Sequence, residues 1–309
     1  MDFDLSFLDE MLSEFTINPD QAPAVHTLLV NRLYNLRHQS QHNGWSELRA
    51  KVIDHPIREV LHQDPFTFRS FAKPRGYPGD AIMLDYMYCR DAPENASDLG
   101  LRLFRHCVEN YNPCKAVRYR KNLLAQTIDA LGQNNSRIHI LSVGCGHLRE
   151  AAESQVVKSG KYAEYIALDH DLDCLAEVER AFNKRKTRIV TVDGSVTELI
   201  RKQVFHPTAK FDFIYAAGLY DYLPQVVAQK LTRVLFELLD KGGQLLITNA
   251  IPDFLEIGYS ETFMDWPLIY RNEAELVNVA ALITPQEVAS ICLSGDPFGV
   301  YSYLQLTRN

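Results

Sequence analysis

The sequence predicts an α/β protein, a doubly wound and mostly parallel sheet that follows a helical N-terminal segment. Three observations predict it: a strand, glycine turn and helix at Arg137–Glu150 (RIHILSVGCGHLRE); acidic residues at the ends of the next two strands; and strands alternating with helices through the second half of the chain. Polar or glycine residues at successive strand ends are what a doubly wound sheet needs at the carboxyl edge, where its ligand lies.

In the first of these, Ile138, Ile140, Leu141 and Val143 form a short apolar strand, Gly144 and Gly146 a turn with few Cβ atoms, and a helical run begins near His147. Such a turn lets backbone N–H groups approach a carboxylate, a ribose or a phosphate closely. The second strand, Tyr162 to Leu168, ends at Asp169 and His170, with Asp169 placed to hold ribose hydroxyls. The third, Thr187 to Val192, ends in Asp193-Gly194-Ser195. An ordinary strand-to-helix turn would account for the glycines but not for Asp169 and Asp193. The dinucleotide fingerprint G-x-G-x-x-G fails because Arg149 occupies its third glycine position, and no G-x-x-x-x-G-K-[ST] phosphate loop is present.

Residues 1 to about 130 read as helices: Ser6 to Phe15, Ala24 to His38, Trp45 to Ile53 and Leu101 to Glu109 each space apolar residues three or four apart. This segment is expected to be a domain of its own, 1–130, folding over the ligand edge as a lid or serving as an interaction module; the sheet domain is then 131–309. Within it, Phe71 to Asp80 carries two prolines, two glycines, Lys73, Arg75, Tyr77 and Asp80. That composition suits either a plain connector or a rigid loop that positions side chains. Pro113 opens a long helix whose Leu123, Leu124, Ile128 and Leu131 form a core face. Of Arg118, Arg120 and Lys121, most are expected to be solvated, while an arginine turned inward would suit a substrate carboxylate.

Phe211 to Ala216 is the fourth strand, followed by Ala217-Gly218-Leu219-Tyr220-Asp221-Tyr222, a helix from Pro224, Gly242-Gly243 and a fifth strand, Gln244 to Asn249. After an aromatic stretch, Tyr259 to Arg271, come an amphipathic helix near Asn272 to Ala281, a second helix from Pro285, and a final alternating strand, VYSYLQL.

The bulk numbers narrow the partners. A chain of 309 residues buries a full core, and a net charge of −7 with a pI near 5.8 gives no basic footprint for nucleic acid. No apolar run reaches membrane-spanning length, and the acidic start MDFDLSFLDEMLSEF lacks the basic residues of a secretion signal, so a soluble cytoplasmic protein with a small-molecule substrate is expected. Cys89, Cys107, Cys114, Cys145, Cys174 and Cys292 form no C-x-x-C pair, which fits reduced thiols better than disulfides or zinc, and no metal is expected.

The order of elements resembles the class I S-adenosylmethionine (SAM) methyltransferase fold, which implies a seven-stranded Rossmann-like sheet closed by an antiparallel hairpin. Two positions depart from that family's E/D-x-G-x-G-x-G: Ser142 replaces the acidic residue and Leu148 the last glycine. KPRGYPGDA (Lys73 to Ala81), SVGCGHLRE (Ser142 to Glu150), AGLYDYLP (Ala217 to Pro224) and MDWPLIYR (Met264 to Arg271) together resemble a bacterial group of this fold. That group is similar both to azetidine-2-carboxylic acid synthases and to the methyl ester synthases of hydroxy-fatty-acid signalling.

The resemblance implies that SAM is consumed. The expected reaction is cyclisation to azetidine-2-carboxylate and methylthioadenosine; the alternative is methyl transfer to a small-molecule carboxylate or hydroxyl, releasing S-adenosylhomocysteine (SAH). Gly144, Cys145 and Gly146 would line the amino acid and ribose end, Asp169 and His170 the ribose, and Asp193, Gly194 and Ser195 the adenine. Tyr77 and Tyr220, with Ala217 and Tyr222 beside them, would surround the sulfonium, since aromatic faces attract a cation without attacking it. Asp80 and Asn249 would orient the amine, and Arg75 or Arg118 would pair with the carboxylate.

Overall fold

The fold is that of a computed structural model, which describes residues 4–88, 91–135, 137–182, 189–204 and 210–309. It divides into two compact units, Met1–Arg118 with Asp253–Pro267, and Tyr119–Pro252 with Leu268–Asn309. The division differs from the cut expected at residue 130. That position falls inside one uninterrupted helix, and the short stretch Asp253–Pro267 leaves the sheet to join the helical unit.

The helical unit contains α1 (Phe7–Ile17), α2 (Ala22–Gln39), α3 (Gln41–Ile53), α4 (Ile57–Leu61), α5 (Pro65–Ala72), α6 (Ala81–Met87), α7 (Asp98–Asn110), the start of α8 (Asn112–Asn134) and, from the later stretch, α14 (Ile257–Thr262). Its interior mixes apolar and polar aromatic groups: Leu29, Leu33, Phe66 and Phe263 are buried, and His26 packs against Tyr111 and Tyr259. Helix starts are capped by side chains, Asp64 on α5, Asp80 on α6 and Ser97 on α7, which satisfies backbone N–H groups that the helices cannot pair internally.

The sheet unit contains β1 (His139–Val143), α9 (Arg149–Glu153), α10 (Gln155–Ser159), β2 (Glu164–Asp169), α11 (Leu172–Phe182), β3 (Ile189–Asp193), α12 (Val196–Ile200), β4 (Phe211–Ala216), α13 (Gln225–Leu238), β5 (Leu239–Ala250), α15 (Glu273–Val277), β6 (Val288–Gly295) and β7 (Tyr301–Arg308). The seven strands lie in the order β3-β2-β1-β4-β5-β7-β6. The first five are parallel, and β7 runs antiparallel between β5 and β6, so the sheet is mixed with a terminal hairpin. The order reverses between β1 and β4, the switch point at which open α/β sheets leave a crevice.

Both faces of the sheet are covered, so the central strands read as continuous apolar runs. Leu141, Val143, Ile166, Leu168, Ile214, Ala216, Leu245, Ile247 and Leu304 face one core with Leu231 and Leu235 of α13 and Leu276 of α15. Alternation sends Ile140, Tyr165, Phe213, Tyr215, Leu246 and Tyr303 to the other face, all of them buried. Each such large apolar side chain contributes roughly 1.5–3 kcal/mol of burial.

Two expected elements come out differently. The helix expected from Pro285 is instead a short 3₁₀ turn, Pro285–Glu287, leading into β6. Pairing with β7 overrides the helical spacing, and as an edge strand β6 leaves Ile291 half exposed. Gly242-Gly243 does not precede the fifth strand but lies within it, at an irregularity where Phe211 pairs with Leu239 and Phe213 with Gln244. A Cβ on Gly243 would stand 2.6 Å from the Phe211 carbonyl oxygen. The expected start of the third strand at Thr187, like Cys89, lies outside the described residues, and β3 is described from Ile189. Among the described residues no helix is long and apolar enough to cross a membrane.

Candidate functional site

The carboxyl end of β1 is built from backbone. The Gly144 and Cys145 N–H groups both donate to the Leu168 carbonyl, at 2.9 and 3.1 Å, which ties the turn to the end of β2. Gly144 (φ 67°) and Gly146 (φ 51°) are left-handed, the conformation glycine adopts without strain. Leu148, in the family's last glycine position, is left-handed as well, with φ 52°. The departure therefore keeps the backbone shape, at a cost of about 1–2 kcal/mol that the burial of its side chain offsets.

Asp169 closes this cradle. Its Oδ2 accepts from the Gly146 N–H at 2.9 Å and its Oδ1 from the Asp171 N–H at 3.0 Å, while the Gly194 N–H donates to its carbonyl at 3.0 Å. Asp193 stands beside it in register and is exposed. Three strand ends are thus joined by hydrogen bonds around one buried carboxylate. Exposed His170 places Nδ1 3.4 Å from Asp169 Oδ1. Cys145 is buried, and burial pushes its thiol well above the usual range, so it is a neutral packing group rather than a nucleophile. Gly194 is packed so that a Cβ would meet Val204 Cγ1 at 2.5 Å. Ser195 caps α12 in a reciprocal capping box with Glu198, so its hydroxyl is occupied at 2.7 Å by the Glu198 carboxylate.

The end of β4 is built from side chains. Gly218 (φ 87°) donates its N–H to Thr248 Oγ1 at 3.1 Å, and Ala217 and Tyr222 are half-buried on either side of it. Arg271, buried, donates to the carbonyls of Tyr220 (2.8 Å) and Leu223 (2.5 Å), to Asn249 Oδ1 (2.5 Å) and to Gln225 Oε1 (2.8 Å). Asp221 Oδ1 accepts from the Ala250 N–H at 2.7 Å, and the Ile269 N–H returns to the Asp221 carbonyl at 2.7 Å. Burial raises the Asp221 carboxyl to about 6, against a lowering by Arg120 and Arg271.

This geometry corrects two expected roles. Tyr220 does not surround a sulfonium: it is fully buried in the core beside α13, and its hydroxyl pairs with Thr232 Oγ1 at 2.9 Å. Asn249 does not orient an amine, because its amide donates to the Ala250 and Ile269 carbonyls while its oxygen holds Arg271. Both serve to fix the loop that follows β4.

The helical unit holds the other predicted residues. Arg75 and Tyr77 are half-buried in the turn between α5 and α6. Asp80, expected at the amine, is 1% exposed and forms a two-pronged pair with Arg69 (3.0 and 2.6 Å) while capping α6 through the Met83 N–H. Arg118, expected at the carboxylate, donates to the carbonyls of Met87, Val108 and Glu109 and so anchors the ends of α6 and α7. Lys73 pairs with Asp265 at 2.5 Å, which ties the KPRGYPGDA loop to the first half of MDWPLIYR, Met264–Pro267, in this unit.

Sequence reading missed a buried polar layer on the sheet face opposite α13. Glu150, 7% exposed at the start of α9, accepts from Tyr215 Oη at 2.5 Å, and Tyr165 donates in turn to Tyr215. Burial raises the Glu150 carboxyl. Of Arg118, Arg120 and Lys121, for which one inward arginine is conceivable from the sequence, Arg120 is 3% exposed. Its helical spacing was the available signal: Leu124 and Ile128 follow it at i+4 and i+8 on the buried stripe of α8. Among the described residues no three His, Cys, Asp or Glu side chains converge as a metal site requires.

No protein-family model matches the chain, and no curated protein matches it. Its fold is similar to that of solved structures. A possible exported protein from Bordetella parapertussis superposes with a TM-score of 0.61 at 14% identity, over 87% of this chain and 98% of that one. Magnesium protoporphyrin IX methyltransferase from Synechocystis PCC 6803, with bound SAH, superposes with a TM-score of 0.52 at 12% identity, over 75% of this chain and 96% of that one. At such identities the likeness is one of fold, and the fold is that of the class I SAM-dependent methyltransferases.

Proposed function

We propose that the protein is a SAM-dependent methyltransferase that moves the methyl group to an oxygen of a small-molecule carboxylate or hydroxyl and releases SAH. The observation that carries this reading is the joined rim of β1, β2 and β3, where the Gly144–Gly146 backbone and the Asp169 carboxylate form one hydrogen-bonded cradle. Each Asp169 oxygen accepts one backbone N–H and retains a lone pair for a ribose hydroxyl. Asp193 and Gly194 extend the same rim toward an adenine, and the exposed Gly144 leaves room for the amino acid end. SAM supplies an electrophilic methyl on a sulfonium. The acceptor oxygen forms the new C–O bond, the C–S pair leaves with sulfur, and a hydroxyl acceptor also sheds its proton. A transfer of this kind asks the protein mainly for alignment, which a rigid backbone cradle provides.

Cyclisation of SAM to azetidine-2-carboxylate has less to support it. That reaction needs groups that curl the aminopropyl arm and hold its amine unprotonated, and Tyr220, Asn249 and Asp80 are engaged in packing, loop anchoring and helix capping. Calorimetric titration with SAH tests the cradle. Asp169→Ala should weaken SAH binding by about tenfold or more while the protein stays folded. Unchanged affinity in that variant would remove the basis of this reading.

A further inference from the structure

The sheet has two edges, β3 and β6, and they are finished differently. Edge strands are kept from pairing with other chains by charge, by proline or by being short. β3 is five residues long, ends in exposed Asp193 and follows Lys184, Arg185, Lys186 and Arg188 in the sequence. β6 has none of these protections. Its eight residues, VASICLSG, include no charge and no proline, and most are exposed, Ile291 at 52%. Its one irregularity lies at the start, between Val288 and Ser290. Ser290 to Gly295 therefore pair with β7 in unbroken register, and every second N–H and C=O turns away from β7.

The acids that flank the strand do not guard it. Glu287 is taken up by Arg233 at 2.7 and 2.8 Å, and Asp296, 8% exposed, accepts from the N–H groups of Phe298, Val300 and Tyr301. Between Asn272 and Thr307 there is no Lys or Arg, so this flank offers no cation to an acidic partner. What it offers is apolar: Val277, Leu282, Ile291 and Phe298 are all exposed large apolar side chains.

The order of residues along β6 fits a copy of itself. With a two-fold axis through Cys292, antiparallel pairing sets Ile291 opposite Leu293 of the second copy, Ser290 opposite Ser294, and Cys292 opposite Cys292. Leu293 already packs against the core on the α13 side, so each Ile291–Leu293 pair extends that core across the junction. With −7 on each chain, two copies repel wherever acids meet, and an uncharged strand is where that repulsion is least.

We propose that the chain forms a two-fold dimer in which β6 pairs antiparallel with β6 of a second copy, joining the two seven-stranded sheets into one. This interface stands independently of the donor reading, since it uses the edge of the sheet and not its carboxyl rim.

The test is sedimentation velocity on the full chain over a dilution series from roughly 100 μM, the range in which a strand-sized contact associates. The parent should sediment as a dimer that dissociates on dilution. Ile291→Lys places a charge in the junction and should weaken association about tenfold or more, with an unchanged circular dichroism spectrum because the side chain is half exposed. A short bismaleimide should join two parent chains through Cys292, an exposed thiol, and should fail to join Cys292→Ser, which should still sediment as a dimer. The cross-link keeps the test decisive if Ile291→Lys fails to fold. A parent that is monomeric throughout the series overturns the proposal. A dimer that persists in folded Ile291→Lys, or a parent dimer that the bismaleimide does not join through Cys292, overturns it as well, by placing the contact elsewhere or in another register.

Discussion

The rim of β1 and β2 and the rim of β4 and β5 are both polar, and they are polar for opposite reasons. At the first, backbone N–H groups and one carboxylate bond to one another beside Gly144, which is exposed. At the second, Arg271, Asp221 and Asn249 cross-link the loop after β4 to the chain at Ile269 and to the end of β5. A polar residue at a strand end therefore says little about ligands until its hydrogen bonds are counted. A buried group whose donors and acceptors are all met within the fold is structure, whereas a carboxylate whose two oxygens each accept a single backbone N–H beside an exposed glycine keeps acceptor capacity for something else.

The contrast predicts that variants at the two rims fail in different ways. The largest effect should come from Arg271→Ala. Four hydrogen bonds to this buried side chain vanish, and urea unfolding should report a loss of about 3–5 kcal/mol. Retained stability would mean the β4 loop is held by other means.

Next in size is a pH effect at the same rim. Burial keeps the Asp221 carboxyl at about 6 in the fold against an ordinary 3.8, so the folded chain binds this proton more tightly than the unfolded one. Its stabilising contribution is fully present below pH 3.8 and is lost as pH rises through about 6. Asp221→Asn cannot ionise, so between those values parent stability should fall relative to D221N by up to about 1.4 kcal/mol per pH unit. Parallel stability curves for the two proteins would place Asp221 in an ordinary solvated setting.

The smallest effect sharpens the comparison most. Tyr220→Phe removes one hydroxyl from the core, and thermal or urea unfolding should show a loss of about 0.5–1.5 kcal/mol with SAH affinity unchanged. Weakened SAH binding at full stability would return Tyr220 to the ligand.

Much of this was legible in the sequence. Phe211 to Ala216 is a strand with the expected ends, and the strand-turn-helix at Arg137–Glu150 stands where its periodicity put it. Strands buried on both faces and helices with one apolar stripe announce themselves by local pattern. The stretch after Pro285 did not, because an edge strand is fixed by its partner β7, a relation between residues far apart in the chain.

The site was legible to the depth of backbone and no further. Glycines and Asp169 could be placed because a turn at a strand end constrains them. Tyr220 could not, because the direction of a side chain in a short 3₁₀ turn is set by what packs beneath it, here Thr232 and the α13 core. Which of Arg118 and Arg120 turns inward was hidden by their shared type, since a charged residue on an apolar stripe reads as a long side chain reaching for water. Arg271 shows the reverse: its motif marked it, and the motif proved to be an anchor for the loop after β4.

Incubating the purified protein with SAM, alone and with small carboxylic or hydroxy acids, and identifying the nucleoside released tests the central claim most directly. The account predicts no turnover with SAM alone and SAH once an acceptor is present. Methylthioadenosine formed from SAM alone, with a cyclic imino acid beside it, would contradict it.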